Sequence, residues 1–226
     1  MQILITGSAG FVGRNLSVAV SRRADLWVTL HDVDAPAGAL DDALDRADAI
    51  FHLAGVNRPS RPEAFEEVNV GVTRAIVARL EALGRRPLIV FSSSTQAEQD
   101  NPDGRSKRAA EDELTSFSRR TGAPVRIFRL PGVFGKWCRP NYNSVVATFC
   151  HNIARDLPIE VSDPGNAVTL VHVDDVVTSF LAELTDSTSA GVAWRAVQPA
   201  FTVTLGNLER QLRAFRAARQ TLHVPD

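Results

Sequence analysis

A glycine-rich segment near the amino terminus constrains this fold more than any other feature. Residues 3–5 form an apolar run, and glycines follow in the spacing G-x-x-G-x-x-G before an amphipathic helical pattern. Glycine permits a tight strand-to-helix turn and a close approach of the main chain to a diphosphate, which the helix amino terminus then binds. The pattern predicts a dinucleotide site formed by Gly7, Gly10, Phe11, Val12 and Gly13. The alternative is a turn selected only for close packing of strand and helix.

Strands and helices alternate through the first 130 residues. The predicted strands are residues 2–6, 26–30, 49–53, 87–91 and 125–130, and the predicted helices are residues 10–22, 39–46, 63–83 and 105–121. A break is expected within the third helix, near residues 69–71. This alternation implies right-handed crossovers and a parallel sheet. The predicted fold class is therefore α/β, with a Rossmann-type doubly wound parallel sheet.

The sequence pattern changes after residue 130. Residues 132–143 are rich in glycine, proline and asparagine and are predicted to form a loop. Helices at 144–155, 173–184 and 205–221 and a strand at 169–172 are expected beyond it. We expect a dinucleotide-binding core at residues 1–130 and a small carboxy-terminal substrate lobe at residues 131–226. The lobe would form one compact unit with the core and lie over the carboxyl edge of the sheet, where ligands bind in such folds.

The composition argues against several classes of protein. The chain has 226 residues, 44% of them hydrophobic and 23% charged, and its net charge of -1 argues against a nucleic-acid surface. Met1 leads into an apolar strand without the features of a signal peptide, and no apolar run is long enough to span a membrane. Cys138 and Cys150 lack metal-site spacing, so we expect reduced thiols in a cytoplasmic protein that holds no metal.

Two further segments bear on the cofactor. Asp32 lies at the end of the second strand, where a carboxylate can bind the ribose hydroxyls of NAD and repel the extra phosphate of NADP. A solvated turn is the alternative, and Arg14 would favour NADP if it reached the ribose. Leu53, Ala54 and Gly55 end the third strand and would let the main chain pass close to the cofactor. A simple strand-end turn has the same pattern.

Several strings of residues resemble the extended short-chain dehydrogenase/reductase family, also called the NAD-dependent epimerase/dehydratase family. A narrower resemblance is to the reductase domain of capsular-polysaccharide enzymes of the UDP-N-acetyl-L-fucosamine pathway, and it covers nearly the whole chain. The family strings are TGSAGFVG at 6–13, HLAG at 52–55, SSS at 92–94 and HVDDV at 172–176. The narrower strings are AGVNRP at 54–59, QDNP at 99–102 and GKWCRPNYNS at 135–144.

The resemblance implies NAD(P)-dependent reduction of a 4-keto group on a UDP-linked deoxy-sugar. In the family a serine holds the carbonyl oxygen, a tyrosine donates the proton, and a lysine lowers the tyrosine pKa and binds the nicotinamide ribose. Ser94 and Lys107 match the serine and the lysine, whereas Asp103 stands at the tyrosine position. The single tyrosine of the chain, Tyr142, lies elsewhere.

The resemblance also implies partners. Asn141, Asn143 and Ser144 fall in the segment that contacts the nucleotide-sugar in relatives, and Ser94 would contact the substrate as well. The narrower group of relatives favours NADP. Relatives form homodimers through the two long helices of the core, and the helix at 63–83 has more apolar positions than one core-facing stripe needs. These positions include Val70, Val72, Ile76, Val77 and Leu80.

The replacement at position 103 leaves the chemistry open. Asp103 and Lys107 are four residues apart and share one helix face, so an ion pair is expected to keep Asp103 ionised. An ionised carboxylate is a base and not the donor that ketone reduction needs. Alternatively Asp103 only caps the helix. Three hypotheses remain: a nucleotide-sugar oxidoreductase with altered proton chemistry, a protein that binds the cofactor without turnover, and a lyase or epimerase that recycles its cofactor.

Overall fold

Helices and strands alternate along most of the chain in the computed structural model, which describes residues 1–56, 61, 63–185 and 189–221. The strands are β1 (Gln2–Thr6), β2 (Trp27–His31), β3 (Ala49–His52), β4 (Leu88–Ser94), β5 (Val125–Leu130), β6 (Gly132–Phe134), β7 (Ala167–His172), β8 (Val192–Arg195) and β9 (Phe201–Thr204). The α-helices are α1 (Phe11–Ser21), α2 (Ala39–Leu44), α3 (Gly71–Ala82), α4 (Pro102–Thr121), α5 (Val145–Ala154), α6 (Val173–Ala182) and α7 (Leu205–Thr221). A π-helix (Phe65–Val70) leads directly into α3, and a 3₁₀ helix (Thr95–Glu98) follows β4.

A six-stranded parallel sheet forms the larger unit, which consists of residues 1–130 and 174–198. The strand order is β2-β1-β3-β4-β5-β8, and every neighbouring pair is parallel. The chain proceeds outward from β1 in both directions, which places a topological switch point between β1 and β3. Open α/β sheets bind ligands at such a point, beyond the carboxyl ends of the strands. The predicted Rossmann-type fold class is confirmed.

The helix α3 lies within the core of this unit. Its residues Ile76, Val77 and Leu80 belong to a buried hydrophobic cluster, against which the partly buried Val72 packs. Val70, at the end of the preceding π-helix, is fully buried. The apolar surplus that the sequence suggested for a subunit interface is therefore used for packing inside one chain. The prediction of a homodimer therefore rests only on the resemblance to the family.

Residues 131–173 and 199–226 form a second, smaller unit. Its three-stranded sheet has the order β6-β7-β9, with β6 parallel and β9 antiparallel to β7. Phe149, Leu170 and Leu208 form the centre of its small core. The expected division placed all of residues 131–226 in one lobe, but residues 174–198 cluster with the first unit because β8 pairs with β5.

Some local expectations differ from the structure. The predicted loop at 132–143 contains β6, and the four-residue strands β8 and β9 were not predicted. Such short strands depend on pairing with distant segments and carry little periodicity of their own. The expected break near residues 69–71 is the junction between the π-helix and α3. The helix α4 begins at Pro102, three residues before its predicted start.

Two features are absent from the part of the chain that the structure describes. None of its helices is both long and apolar enough to cross a lipid bilayer. The same residues contain no cluster of three or more His, Cys, Asp or Glu side chains suited to a metal ion.

Candidate cofactor and catalytic site

Close main-chain contacts require the three glycines of the turn at residues 7–13, which we call the glycine turn. Gly7 has a φ of +67°, and a Cβ atom there would lie 2.7 Å from the amide nitrogen of Ala54. A Cβ atom on Gly13 would lie 2.2 Å from the carbonyl oxygen of Gly7. The Gly10 amide donates to that same oxygen at 3.1 Å. The glycines thus hold the turn close to the end of β3 and to the start of α1.

The start of α1 presents main-chain donors. Gly10 is the N-cap, no side chain of the described residues caps the helix, and its first turn contains no acidic residue. Phe11, Val12 and Gly13 contribute first-turn N–H groups, for which helix geometry supplies no acceptor. These donors and the positive end of the helix dipole suit a phosphate group. The glycine turn can therefore hold the diphosphate of a dinucleotide.

The carboxylate of Asp32 faces the glycine turn. Its Oδ2 accepts a hydrogen bond from the amide of Ala9 at 2.7 Å, and its Oδ1 accepts from the amide of Val33 at 2.9 Å. Its carbonyl oxygen also closes a turn with the amide of Ala35 at 3.0 Å. Asp32 is thus part of a turn, as the alternative of a solvated turn predicted, and it also stabilises the glycine turn through the Ala9 amide. Carboxylate lone pairs remain for a ribose hydroxyl.

The end of β3 leads past the same turn. The amide of Leu53 donates to the carbonyl oxygen of Thr6 at 3.2 Å, and the amide of Ala54 donates to the Thr6 hydroxyl at 3.3 Å. A Cβ atom on Gly55 would lie 2.9 Å from Nζ of Lys107. Glycine at position 55 therefore makes room for the lysine. Of the string at 54–59, residues 57–59 lie outside the described residues.

A buried neutral histidine joins these elements. Thr73 donates its hydroxyl proton to the carbonyl oxygen of Asn69 at 2.8 Å, so its oxygen accepts from Nε2 of His52 at 2.9 Å. Nδ1 of His52 then accepts from the hydroxyl of Thr6 at 2.8 Å. Burial and the positive charge of Lys107 lower the pKa of His52 to about 3. The imidazole is consequently neutral at physiological pH and is a structural link.

Ser94 ends β4 and begins the 3₁₀ helix. Its Oγ accepts a hydrogen bond from the amide of Gln96 at 3.1 Å. Ser94 is therefore paired with the main chain through this bond. That bond uses an oxygen lone pair and leaves the hydroxyl proton free to donate, which is what holding a carbonyl oxygen requires.

The start of α4 is fixed against the 3₁₀ helix. Asn101 is the N-cap and accepts from the amide of Gly104 at 2.8 Å, with Pro102 in the first helical position. Asp103 lies inside the first turn, so the alternative that it caps the helix is wrong. A Cβ atom on Gly104 would lie 2.3 Å from the carbonyl oxygen of Gln96. This close approach sets the helix that carries Asp103 and Lys107 beside the segment that follows Ser94.

Asp103 and Lys107 share a helix face, as predicted, but the expected ion pair is absent. Asp103 Oδ1 is buried and has no hydrogen-bond partner among the described residues, and no ion pair links it to Lys107. Burial raises the pKa of Asp103, and the positive charge of Lys107 opposes that rise only in part. The predicted direction is therefore wrong, because desolvation outweighs the attraction. Burial likewise lowers the pKa of Lys107, against the charges of Asp103 and Glu111.

Sequence reasoning missed Asn69, which connects the site. Its amide nitrogen donates to the Ser106 hydroxyl at 2.8 Å and to the carbonyl oxygen of Val56 at 3.2 Å, and its Oδ1 accepts from the amide of Val56 at 2.8 Å. Ser106 in turn donates to the carbonyl oxygen of Asp103 at 2.8 Å. A polar residue at the predicted helix break was the available signal.

A buried acid one turn beyond Lys107 was also missed. Both carboxylate oxygens of Glu111 accept from the guanidinium of Arg129, at 2.9 and 2.7 Å, and Ser93 donates to the same carboxylate. The Arg129 guanidinium lies 4.6 Å from the ring centroid of Trp194. The Arg129 guanidinium therefore neutralises Glu111, which leaves Lys107 without a dedicated counter-ion.

The predicted substrate residues other than Ser94 lie in the second unit. Asn141 has a φ of +55°, and its amide donates to the hydroxyl of Thr148 at 2.9 Å. Ser144 is the N-cap of α5 and accepts from the amide of Ala147 at 3.4 Å, which is an ordinary capping contact. Asn143 and Tyr142 are exposed. The structure thus leaves these side chains accessible at the start of α5.

The parallel sheet and the glycine turn define a Rossmann-type α/β protein. A model of the NAD dependent epimerase/dehydratase family matches residues 3–194, and the chain belongs to this family. The chain is 45% identical over 222 residues to the UDP-2-acetamido-2,6-beta-L-arabino-hexul-4-ose reductase of Pseudomonas aeruginosa, covering 98% of this chain and 59% of that protein.

Solved structures of similar proteins share the fold of this chain. The capsular polysaccharide assembling protein CapF from Staphylococcus aureus superposes with a TM-score of 0.85 at 38% identity, covering 98% of this chain and 59% of that one. A UDP-glucuronic acid 4-epimerase from Bacillus cereus in complex with NAD has a TM-score of 0.86 at 16% identity, over 96% of this chain and 84% of that one, which shows the shared fold alone. The chain therefore spans 59% of the length of both the reductase and CapF.

Proposed function

We propose that the protein is an NAD(P)-dependent oxidoreductase that reduces the 4-keto group of a UDP-linked acetamido-deoxy-sugar. The observation that carries this proposal is the buried ammonium group of Lys107 beside Gly55, at the end of the sheet that carries the glycine turn. Similarity to the P. aeruginosa reductase supports the choice of substrate class.

Lys107 would bind the nicotinamide ribose. Among the described residues, its ammonium makes no ion pair, because the nearby acid Glu111 is taken up by Arg129. An ammonium group on an almost buried side chain, with no protein acceptor among the described residues, favours a ligand that brings one. Burial lowers the pKa of Lys107, so acceptors supplied by a bound cofactor would also stabilise its charged form. The cofactor, when bound, would supply the hydride.

Ser94 would orient the carbonyl oxygen. Its hydroxyl oxygen is fixed by the amide of Gln96, which leaves the hydroxyl proton for the substrate. A donor held in place before the reaction stabilises the negative charge that develops on the oxygen as hydride arrives. Ser94 and Lys107 thus keep two of the three family roles.

Asp32 favours NAD over NADP in this proposal. Its carboxylate is anchored to the glycine turn through Ala9, and a fixed negative charge there repels the 2′-phosphate of NADP. Isothermal titration calorimetry with both cofactors tests this preference. We expect NAD to bind at least about tenfold more tightly, and Asp32→Asn to narrow the difference. Tighter NADP binding by the unaltered protein would contradict the role of Asp32.

Asn141, Asn143 and Ser144 are proposed to contact the nucleotide-sugar, with Ser94 contacting the sugar carbonyl. First-turn amides of α5 suit a phosphate in the same way as those of α1. We also propose a cytoplasmic homodimer, on the grounds of the resemblance and of a substrate and a cofactor that are cytoplasmic metabolites.

The test of function is NAD(P)H oxidation in the presence of a UDP-linked 4-keto-2-acetamido-2,6-dideoxy-sugar. We expect turnover that falls at least about 10²-fold in Lys107→Gln. Arg86→Gln removes an exposed cation of the same unit and is the matched control, with activity unchanged. Cofactor binding without oxidation in the presence of this substrate would contradict the proposal.

Binding without turnover is the second candidate function. The observation that favours it is Asp103 in the position where the family has its proton-donating tyrosine. Under this alternative, calorimetry detects binding of cofactor and of UDP-sugar to the protein. Lys107→Gln changes the affinity for cofactor, and neither the unaltered protein nor any variant oxidises NAD(P)H in the presence of the substrate.

A further inference from the structure

Asp103 is a half-buried acid with one fully buried carboxylate oxygen. Its Oδ1 is buried without a hydrogen-bond partner in the described part of the chain, although Asp103 is followed one turn later by a lysine. Leaving an ionised carboxylate buried and unpaired is costly, whereas a neutral carboxylic acid avoids most of that cost. The geometry therefore favours the protonated form of this side chain.

The charges near Asp103 act against the effect of its burial. Lys107 is the charge that acts on it, and Lys107 favours the ionised form. The position in the first turn of α4 also favours a negative charge, by a modest amount. The charged side chains of the π-helix, the 3₁₀ helix and residues 99–101 have other partners: Glu98 with Arg129, Asp100 with Arg105, Glu66 with Arg74 and Glu67 with Arg61.

Burial outweighs these influences and raises the pKa of Asp103. An unperturbed aspartate titrates near ~3.9 and is a poor donor at neutral pH. A rise moves the pKa toward the operating pH, which is the condition for efficient general acid catalysis. The neighbouring lysine then stabilises the carboxylate that remains after the proton has left.

We propose that Asp103, protonated in the resting protein, donates the proton that completes reduction of the sugar ketone. This inference rests on the proposed function. A C–H bond forms at C4 with the hydride of the reduced nicotinamide, the C=O π bond breaks, and an O–H bond forms with the Asp103 proton. The sugar carbon is reduced, the nicotinamide is oxidised, and the Asp103 carboxylate regains a proton from solvent. Aspartate is shorter than tyrosine, so one water molecule is expected to carry the proton across the gap.

The local structure holds this acid in place. Asn101 fixes the first turn of α4, and Gly104 allows that turn to approach the main chain at Gln96. The Asp103 carbonyl accepts from Ser106, which accepts from Asn69. The same network reaches the main chain at residue 56, next to the Gly55 position where Lys107 approaches. The carboxyl group is thereby positioned relative to the proposed ribose site.

The experiment measures kcat/KM for the 4-keto-sugar against pH in the unaltered protein, Asp103→Asn and Asp103→Tyr. Asp112→Asn removes an exposed acid from the same helix and is the matched control. We expect Asp103→Asn to lower the rate by about 10²–10⁴-fold. The unaltered protein should lose activity as the pH rises through the Asp103 pKa, and Asp103→Tyr should retain activity to higher pH, because tyrosine titrates near ~10.

A second readout does not depend on activity. The folded state favours protonated Asp103, so ionisation at high pH costs stability relative to the unfolded chain. The melting temperature of Asp103→Asn should therefore exceed that of the unaltered protein by a margin that opens as the pH rises above about 4. A margin that does not change with pH would overturn the proposal.

The remaining outcomes separate the two proposals. An Asp103→Asn variant with an unchanged rate and pH profile would overturn the role of Asp103 while leaving the proposed function intact. An inactive unaltered protein with an active Asp103→Tyr variant would overturn both the role of Asp103 and the proposed function, and it would favour binding without turnover. If no form, including Asp103→Tyr, reduces the sugar although each binds cofactor, the proposed function fails as well.

Discussion

The glycine turn and the start of α4 are both built on glycines pressed against main chain, but they depend on their sequences differently. In the glycine turn the donors are main-chain amides, and Gly7 and Gly13 serve to shape the backbone. At the start of α4, Gly104 plays the same shaping part, whereas the chemistry belongs to the side chains of Asp103 and Lys107. A site made of backbone is preserved as long as its shape is preserved. A site made of side chains changes its chemistry with one substitution and no change of fold.

The largest expected effect concerns His52, which joins Thr6, just before the glycine turn, to Thr73 of α3. Thr73 donates to the carbonyl oxygen of Asn69, whose side chain reaches Ser106 of α4. The pKa of His52 falls from 6.5 to about 3 in the folded protein, so between these values the unfolded chain binds a proton that the folded protein does not. Stability should therefore fall as the pH drops from about 6.5, by roughly 4–5 kcal/mol in total near pH 3.

Urea unfolding of the unaltered protein and of His52→Gln, from pH 7 to pH 4, measures this contribution. His52→Gln keeps a neutral polar group and should show a shallower loss of stability in that range. Equal slopes for the two proteins would mean that another group controls acid unfolding.

An effect of intermediate size is expected when the main chain of the glycine turn is disturbed. Gly13→Ala places a Cβ atom 2.2 Å from the carbonyl oxygen of Gly7, and the main chain must shift. We expect a loss of about 3 kcal/mol of stability and a loss of about 100-fold in cofactor affinity. Gly71→Ala is the matched control, since its nearest atom would be 3.8 Å away at a helical φ of -60°.

Chemical denaturation and calorimetry check this prediction. If Gly13→Ala binds cofactor as tightly as Gly71→Ala does, the glycines of the turn serve packing alone. The glycine turn would then not be a binding site made of main chain, and its contrast with the start of α4 would be lost.

The smallest effect tests which residue caps α4. Asn101→Ala removes the acceptor of the Gly104 amide and should cost about 1 kcal/mol of stability. Asp103→Ala should cost less, because its carboxylate caps nothing and its buried Oδ1 has no partner among the described residues. Urea unfolding at neutral pH distinguishes the two variants. A larger loss for Asp103→Ala would restore Asp103 as a structural residue and weaken its proposed role.

The local patterns of the sequence were sufficient for the Rossmann-type sheet and for the glycine turn. Both follow from periodicity and from the freedom of glycine, which act over neighbouring residues. The pairing of Asp103 and Lys107 on one helix face was predictable for the same reason, since helical spacing is local.

Only the tertiary structure decided the state of the groups at the site. The pKa of Asp103 depends on burial by elements distant in sequence, and that burial reverses the direction expected from Lys107 alone. The links from Asn69 to Ser106 and from Glu111 to Arg129 likewise join separate helices and strands. The place of β8 beside β5 needed the pairing itself, because four residues carry too little pattern. Sequence determined the backbone because its signals are local, whereas solvation and charge at the site depend on contacts that only folding brings together.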